Sequence, residues 1–153
     1  MISRFTCLID ALDAILQKGA DQDVKGVRDE LLQPDTLLFL LLLSDVLAHI
    51  NRFSLFLQRK NLIFADIAVK FTKLKRSIDE LKTKHGPLFR ENSRAFLKIS
   101  KERMELARRL RGNNLIETSG EGEIDGKIEE FHRVLKVTFL EAVLQELLTL
   151  YSI

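Results

Sequence analysis

Apolar residues at Phe39, Leu43, Val46, Ile50, Phe53 and Leu57 recur at alternating steps of four and three, the signature of one helical face. The stripe begins inside an uninterrupted apolar run, Leu37–Leu43. Pro34 suits the first turn of a helix and not its interior, so a long central helix is predicted over 34–60. Its first half is apolar on every side and is expected to be buried all round. Phe39, Leu43, Val46, Ile50 and Phe53 are expected to be almost fully buried.

Similar spacing places the other elements. Phe5, Leu8, Ile9, Leu12, Ile15 and Leu16 share a face of a helix over 4–18, and Gly19 is a natural stop. A short acidic helix is predicted over 21–33, with Val24, Val27, Leu31 and Leu32 inward. Gly26 weakens it by about 1 kcal/mol. Asn61 is placed as the cap of a helix over 62–84. That helix carries the stripe Phe64, Ile67, Ala68, Phe71, Leu74, Ile78 and Leu81. His85-Gly86-Pro87 breaks the pattern. A helix over 88–110 follows, with Leu88, Asn92, Phe96, Ile99, Leu106 and Leu110 inward. Residues 112–126 hold four of the seven glycines and read as a flexible acidic loop. The last helix is predicted over 127–151, apolar at Val137, Leu140, Leu144, Leu147 and Leu148. The expected architecture is a single all-α domain over 1–153, a bundle of five or six helices around 34–60.

Composition agrees with that picture. The 153 residues suffice for one core, and 46% hydrophobic with 30% charged residues is ordinary for a globular chain. Cys7 is the only cysteine, so no internal disulfide can form. Asp10 and Asp13 break the apolar stretch that a signal peptide needs. Leu37–Leu43 is short of the roughly 20 residues of a membrane span, so no membrane association is expected.

Charge changes the picture more. Net charge is +2, yet residues 59–111 hold 16 Lys/Arg against 6 Asp/Glu, and the remainder of the chain is acidic. Such asymmetry gives either a basic surface facing an anion or a basic part of the fold facing an acidic one. Arg90, Arg94, Lys98, Lys101 and Arg108 recur at helical spacing, interrupted by Glu105. They are the candidate nucleic-acid contacts, because affinity for nucleic acid comes mainly from Lys and Arg meeting phosphates. A lysine-rich face also serves simply to keep a helix soluble.

Three segments, in order, resemble the hAT superfamily of DNA transposases and the host zinc-finger proteins derived from it. Ser3, Arg4 and Phe5 stand where that family has a Thr-Arg-Trp segment, with Phe replacing Trp. Leu43-Ser44-Asp45-Val46-Leu47, followed by Leu57-Gln58, resembles its leucine-rich Ser-Asp-Val-Leu helix. Phe131, His132, Arg133, Val134, Phe139 and Leu140 are similar to a later helix. The resemblance implies the all-helical insertion of an RNase H-like transposase, cut off from its catalytic sheet, and hence a truncated piece. It implies a nuclear, non-catalytic scaffold that associates with DNA or protein. Two-metal phosphodiester chemistry needs clustered carboxylates, and none is recognised on an expected sheet. The alternative is a helical interaction module unrelated to transposases.

The remaining candidates point to structure. His49, His85 and His132 are distant in sequence and lack metal-ligand spacing with Cys7. His132 is expected to pair with Glu129 on the surface. Cys7 is expected to be a buried, inert thiol. Ser44, Asp45 and His49 lie on one helix and cannot form a hydrolytic triad. No glycine-rich phosphate loop is present, because the glycines at 120, 122 and 126 sit among acids. No cofactor, metal or small-molecule substrate is expected, and the chain is read as no enzyme.

Overall fold

A computed structural model describes residues 2–19, 22–110 and 121–150. They are all-α, with no strand among the described residues. The helices are α1 (Ile2–Gln17), α2 (Gln22–Leu31), α3 (Pro34–Leu57), α4 (Phe64–Thr83), α5 (Pro87–Leu110), α6 (Glu121–Phe131) and α7 (Val137–Leu150). A π-helical turn, His132–Lys136, joins α6 to α7 without a break. The residues form two compact units.

The first unit holds residues 1–39 and 92–128. α1 packs on α2. Gly19 closes α1 in the left-handed region at φ +84°, as its placement after the apolar stripe predicts. Ile9, Leu32, Leu37, Leu38, Phe96 and Leu97 are buried. Phe5 meets Phe96 at 4.8 Å between ring centroids. Val27, expected inward, is more than half exposed, and Arg28 takes the inner position. Its Nε donates to Asp13 Oδ1 at 2.9 Å, its Nη1 to Asp29 at 3.0 Å, and its Nη2 to the Arg103 carbonyl. Arg103 in turn bridges Asp10 and Asp13. The Ser100 hydroxyl donates to the Leu32 carbonyl, so the polar groups in this core are matched.

Cys7 is exposed rather than buried, because the α1 face bearing Ile9 and Phe5 turns it outward. The expected acidic loop over 112–126 divides. Residues 112–120 lie outside the described residues, whereas Glu121–Gly126 are the first turns of α6. There Glu123 and Asp125 meet cations of α5, which offsets the low helix propensity of Gly122 and Gly126.

The second unit holds residues 40–91 and 129–153. α4 packs on α7. Its buried apolar residues include Leu41, Leu42, Val46, Phe53, Ile78, Phe89, Phe131 and Leu140. Asn61 does not cap α4, which starts later, at Phe64. Ile63 is the N-cap, without a side-chain hydrogen bond, and its carbonyl accepts from Asp66 and Ile67.

α3 starts at Pro34 as predicted, but its buried face is rotated from the predicted stripe. Leu37, Leu38, Leu41, Leu42, Val46 and Phe53 are buried; Phe39, Leu43 and Ile50 are only partly so, and Leu40 and Leu47 face solvent. An apolar run of near-identical leucines offers no contrast between faces, so the packed neighbours choose the inward side. By length and composition α3 could cross a membrane; here it is a helix with one face in the core.

On α5 the inward set shifts in the same way. Phe89, Ser93, Phe96, Leu97 and Ser100 are buried, while Leu106, expected inward, is half exposed. The last predicted helix begins earlier and carries the π turn, which inserts one extra residue per turn. That insertion puts Phe131, Lys136, Leu140 and Leu144 on one buried face at steps of five, four and four.

Candidate functional site

The five predicted basic residues lie on one stripe of the continuous helix α5. Arg90 belongs to the second unit and the other four to the first. Arg90, Arg94, Lys98 and Arg108 are exposed, and Lys101 is partly covered. Two already have acidic partners on α6: Arg94 Nη2 lies 3.0 Å from Asp125, and Lys101 Nζ lies 3.1 Å from Glu123. Such exposed pairs contribute only about 0–1 kcal/mol each and leave the stripe open to another anion. Arg103, absent from the predicted set, faces Asp10 and Asp13 instead.

Sequence reasoning missed a polar centre in the second unit. Asp45, on α3, is buried and accepts the Leu88 N–H at 3.0 Å and the Phe89 N–H at 2.9 Å. It thus caps the N-terminus of α5 from a distant element, where backbone donors lack helical partners and the dipole favours an anion. Gly86 is required by this approach. A Cβ there would lie 2.3 Å from the Asp45 carboxyl carbon. Gly86→Ala is therefore expected to cost about 1–3 kcal/mol, read as a lower urea midpoint, because a short buried carboxylate cannot swing clear. An unchanged midpoint would show that the cap is pliable.

Lys136 lies beside this cap, with 0% of its surface exposed. Its Nζ donates to the Lys84 carbonyl at 3.3 Å and stands 3.3 Å from His85 Nδ1. Burial pushes the ammonium down from 10.5 to about 8, opposed by the Asp45 charge. Burial likewise lowers His85 to about 4, aided by Lys136 and then His132. A charged lysine can only donate, so His85 then accepts at Nδ1 and carries its proton on Nε2. The His85 ring stacks on Phe89 at 4.6 Å and meets His132 edge-on at 5.5 Å. His132 thus finds His85, and no His132–Glu129 ion pair forms among the described residues. His85 and His132, distant in sequence, are neighbours in space.

No family model, curated protein or solved structure matches this chain.

The chain's own geometry therefore limits what its polar groups can do. Ser44, Asp45 and His49 are committed separately: the Ser44 hydroxyl donates to the Leu40 carbonyl, and Asp45 caps α5. Burial lowers the pKa of His49, and Arg52 adds to the effect. Among the described residues no three His, Cys, Asp or Glu side chains converge as metal ligands. Lys136 and His85 hold perturbed protons, but the atoms around Lys136 leave it no solvent contact. A lone charge within each apolar stretch, Asp45 after LLFLLLLS and Lys136 in VLKVTFL, was the available signal for this centre.

Proposed function

We propose that this chain is a non-catalytic helical scaffold of hAT-transposase origin that works in the nucleus and contacts duplex DNA through α5. The observation carrying this reading is the stripe Arg90, Arg94, Lys98 and Arg108, exposed along one face of a 24-residue helix. Phosphates spaced along a duplex suit cations spaced along a helical face, and each neutralised phosphate releases counterions. With Arg94 engaged by Asp125 and Lys101 by Glu123, the contacts rest on Arg90, Lys98 and Arg108.

Binding of a labelled duplex is expected to weaken linearly in log affinity against log salt. The triple charge reversal Arg90→Glu, Lys98→Glu, Arg108→Glu should flatten that slope by about 3. No binding at low salt would overturn the DNA reading.

A second reading follows from the ion pairs Arg94–Asp125 and Lys101–Glu123. If the basic helix serves the acidic part of its own unit, the chain is a helical protein-interaction module unrelated to transposases. That reading predicts an oligomer or a stable protein complex in light scattering. A monomer that binds duplex DNA counts against it.

A further inference from the structure

The turn between α3 and α4 presents large apolar side chains to solvent beside a concentration of cations. Phe64 is 72% exposed, Ile63 65% and Leu55 56%. These are the side chains that folding ordinarily hides, and all three fall between residues 55 and 64, around a single turn. From residue 52 to residue 73 the exposed charges are Arg52, Arg59, Lys60, Lys70 and Lys73, against the single carboxylate of Asp66.

Two of these cations are held at the turn. The Arg59 guanidinium lies 5.4 Å from the Phe56 ring centroid, and the Lys70 ammonium lies 5.6 Å from the same ring. One aromatic ring therefore gathers a charge from the turn after α3 and another from α4. On α3, Leu55 lies three residues after Arg52, so an apolar and a basic group share that face.

We propose that the α3–α4 turn is a docking surface for an anionic lipid bilayer. Ile63 and Phe64 enter the boundary between headgroups and acyl chains, and Leu55 lies against it. Arg52, Arg59, Lys60 and Lys70 meet the lipid phosphates. Charge complementarity selects an anionic partner. The three exposed apolar side chains select lipid over nucleic acid, whose backbone gives an isoleucine and a phenylalanine nothing to bury against. This is peripheral docking by a turn, distinct from a spanning helix. It is also separate from the α5 stripe.

The test uses the full chain with vesicles of phosphatidylcholine and phosphatidylserine, compared with phosphatidylcholine alone. The chain contains no tryptophan, so Phe64→Trp supplies a single reporter. Its emission is expected to shift to the blue with anionic vesicles and to stay unchanged with neutral ones. In co-sedimentation, Ile63→Ser/Phe64→Ser and Arg59→Glu/Lys60→Glu are each expected to reduce partitioning about tenfold or more. All four positions are exposed, and far-UV circular dichroism checks that the variants keep their helices. Leu55→Ser repeats the apolar test on the other helix. An unshifted emission, or wild-type partitioning of the serine variants, overturns the proposal. So does a chain that ignores vesicles but binds a duplex oligonucleotide in a manner abolished by Arg59→Glu/Lys60→Glu, which would assign the patch to nucleic acid.

Discussion

Replacing Asp45 with alanine is expected to lower the unfolding free energy by about 3–5 kcal/mol. Two effects add. The Leu88 and Phe89 N–H groups lose charge-assisted bonds of 3.0 and 2.9 Å, and a helix cap of this kind contributes about 1–2 kcal/mol. The ammonium of Lys136 also loses the charge that favours its protonated form, while it remains fully buried. An uncompensated buried cation supplies the remainder of the effect. Urea denaturation monitored by circular dichroism reads the loss as a lower midpoint at unchanged slope.

The two effects separate in a double-mutant cycle. In a Lys136→Met background, Asp45→Ala should cost only the cap, about 1–2 kcal/mol. Asp45→Asn keeps one acceptor oxygen and discards the charge, so it should fall between the two. A full loss that persists in the Lys136→Met background would assign the whole effect to capping.

The second large effect is a rise of stability at alkaline pH that Lys136 creates. Its pKa is about 8 in the fold against 10.5 for an ordinary lysine. Between these values the unfolded chain holds a proton that the folded chain has lost. Unfolded excess protonation makes stability rise with pH. Below about pH 8 both states are protonated, and the fold bears the full cost of a buried ammonium. The cost is relieved as pH climbs from 8 toward 10.5, by about 3 kcal/mol across the window.

Lys136→Met keeps the length and bulk of the side chain and removes the charge. It is expected to raise stability at pH 7 and to abolish the rise above pH 8. Midpoints for both proteins measured from pH 7 to above 10 give the comparison, and titrations common to both cancel. Parallel curves would mean that the ammonium reaches water by local opening. The same substitution removes one of the causes depressing His85, whose NMR titration should then move up from about 4.

Much of the fold was legible because helices depend on local spacing. Pro34 marked the start of α3, Gly19 the end of α1, and His85-Gly86-Pro87 the break before α5. These signals are backbone properties of single residues, and tertiary contacts do not erase them. The inward faces were less legible. Along α3 the leucines from 37 to 43 are equivalent by sequence, yet Leu38 and Leu42 are buried while Leu40 faces water. Along the C-terminal helix the apolar positions Val137, Leu140, Leu144, Leu147 and Leu148 fit a regular period of 3.6. The π turn at His132–Lys136 broke it and moved Lys136 inside.

The basic stripe was legible as a pattern and not as an environment. Spacing alone put Arg90, Arg94, Lys98, Lys101 and Arg108 on one face. That Asp125 and Glu123 approach two of them follows from α6 folding where glycines suggested a loop. The cation pair at Phe56 was equally hidden, since Arg59 follows α3 whereas Lys70 lies on α4.

By itself, then, the sequence determined an all-α chain, the start of α3, the stop after α1, the break before α5 and the uneven distribution of its charge. All of these depend on residues near one another along the chain. Only tertiary structure decided which leucines are core and that Arg28, Asp45 and Lys136 are buried ions. It alone showed that Gly86 must be glycine and that His85 meets His132. Each of these depends on which distant group removes water from a side chain and which distant atom answers its charge. Neither is written in the spacing of residues along one helix.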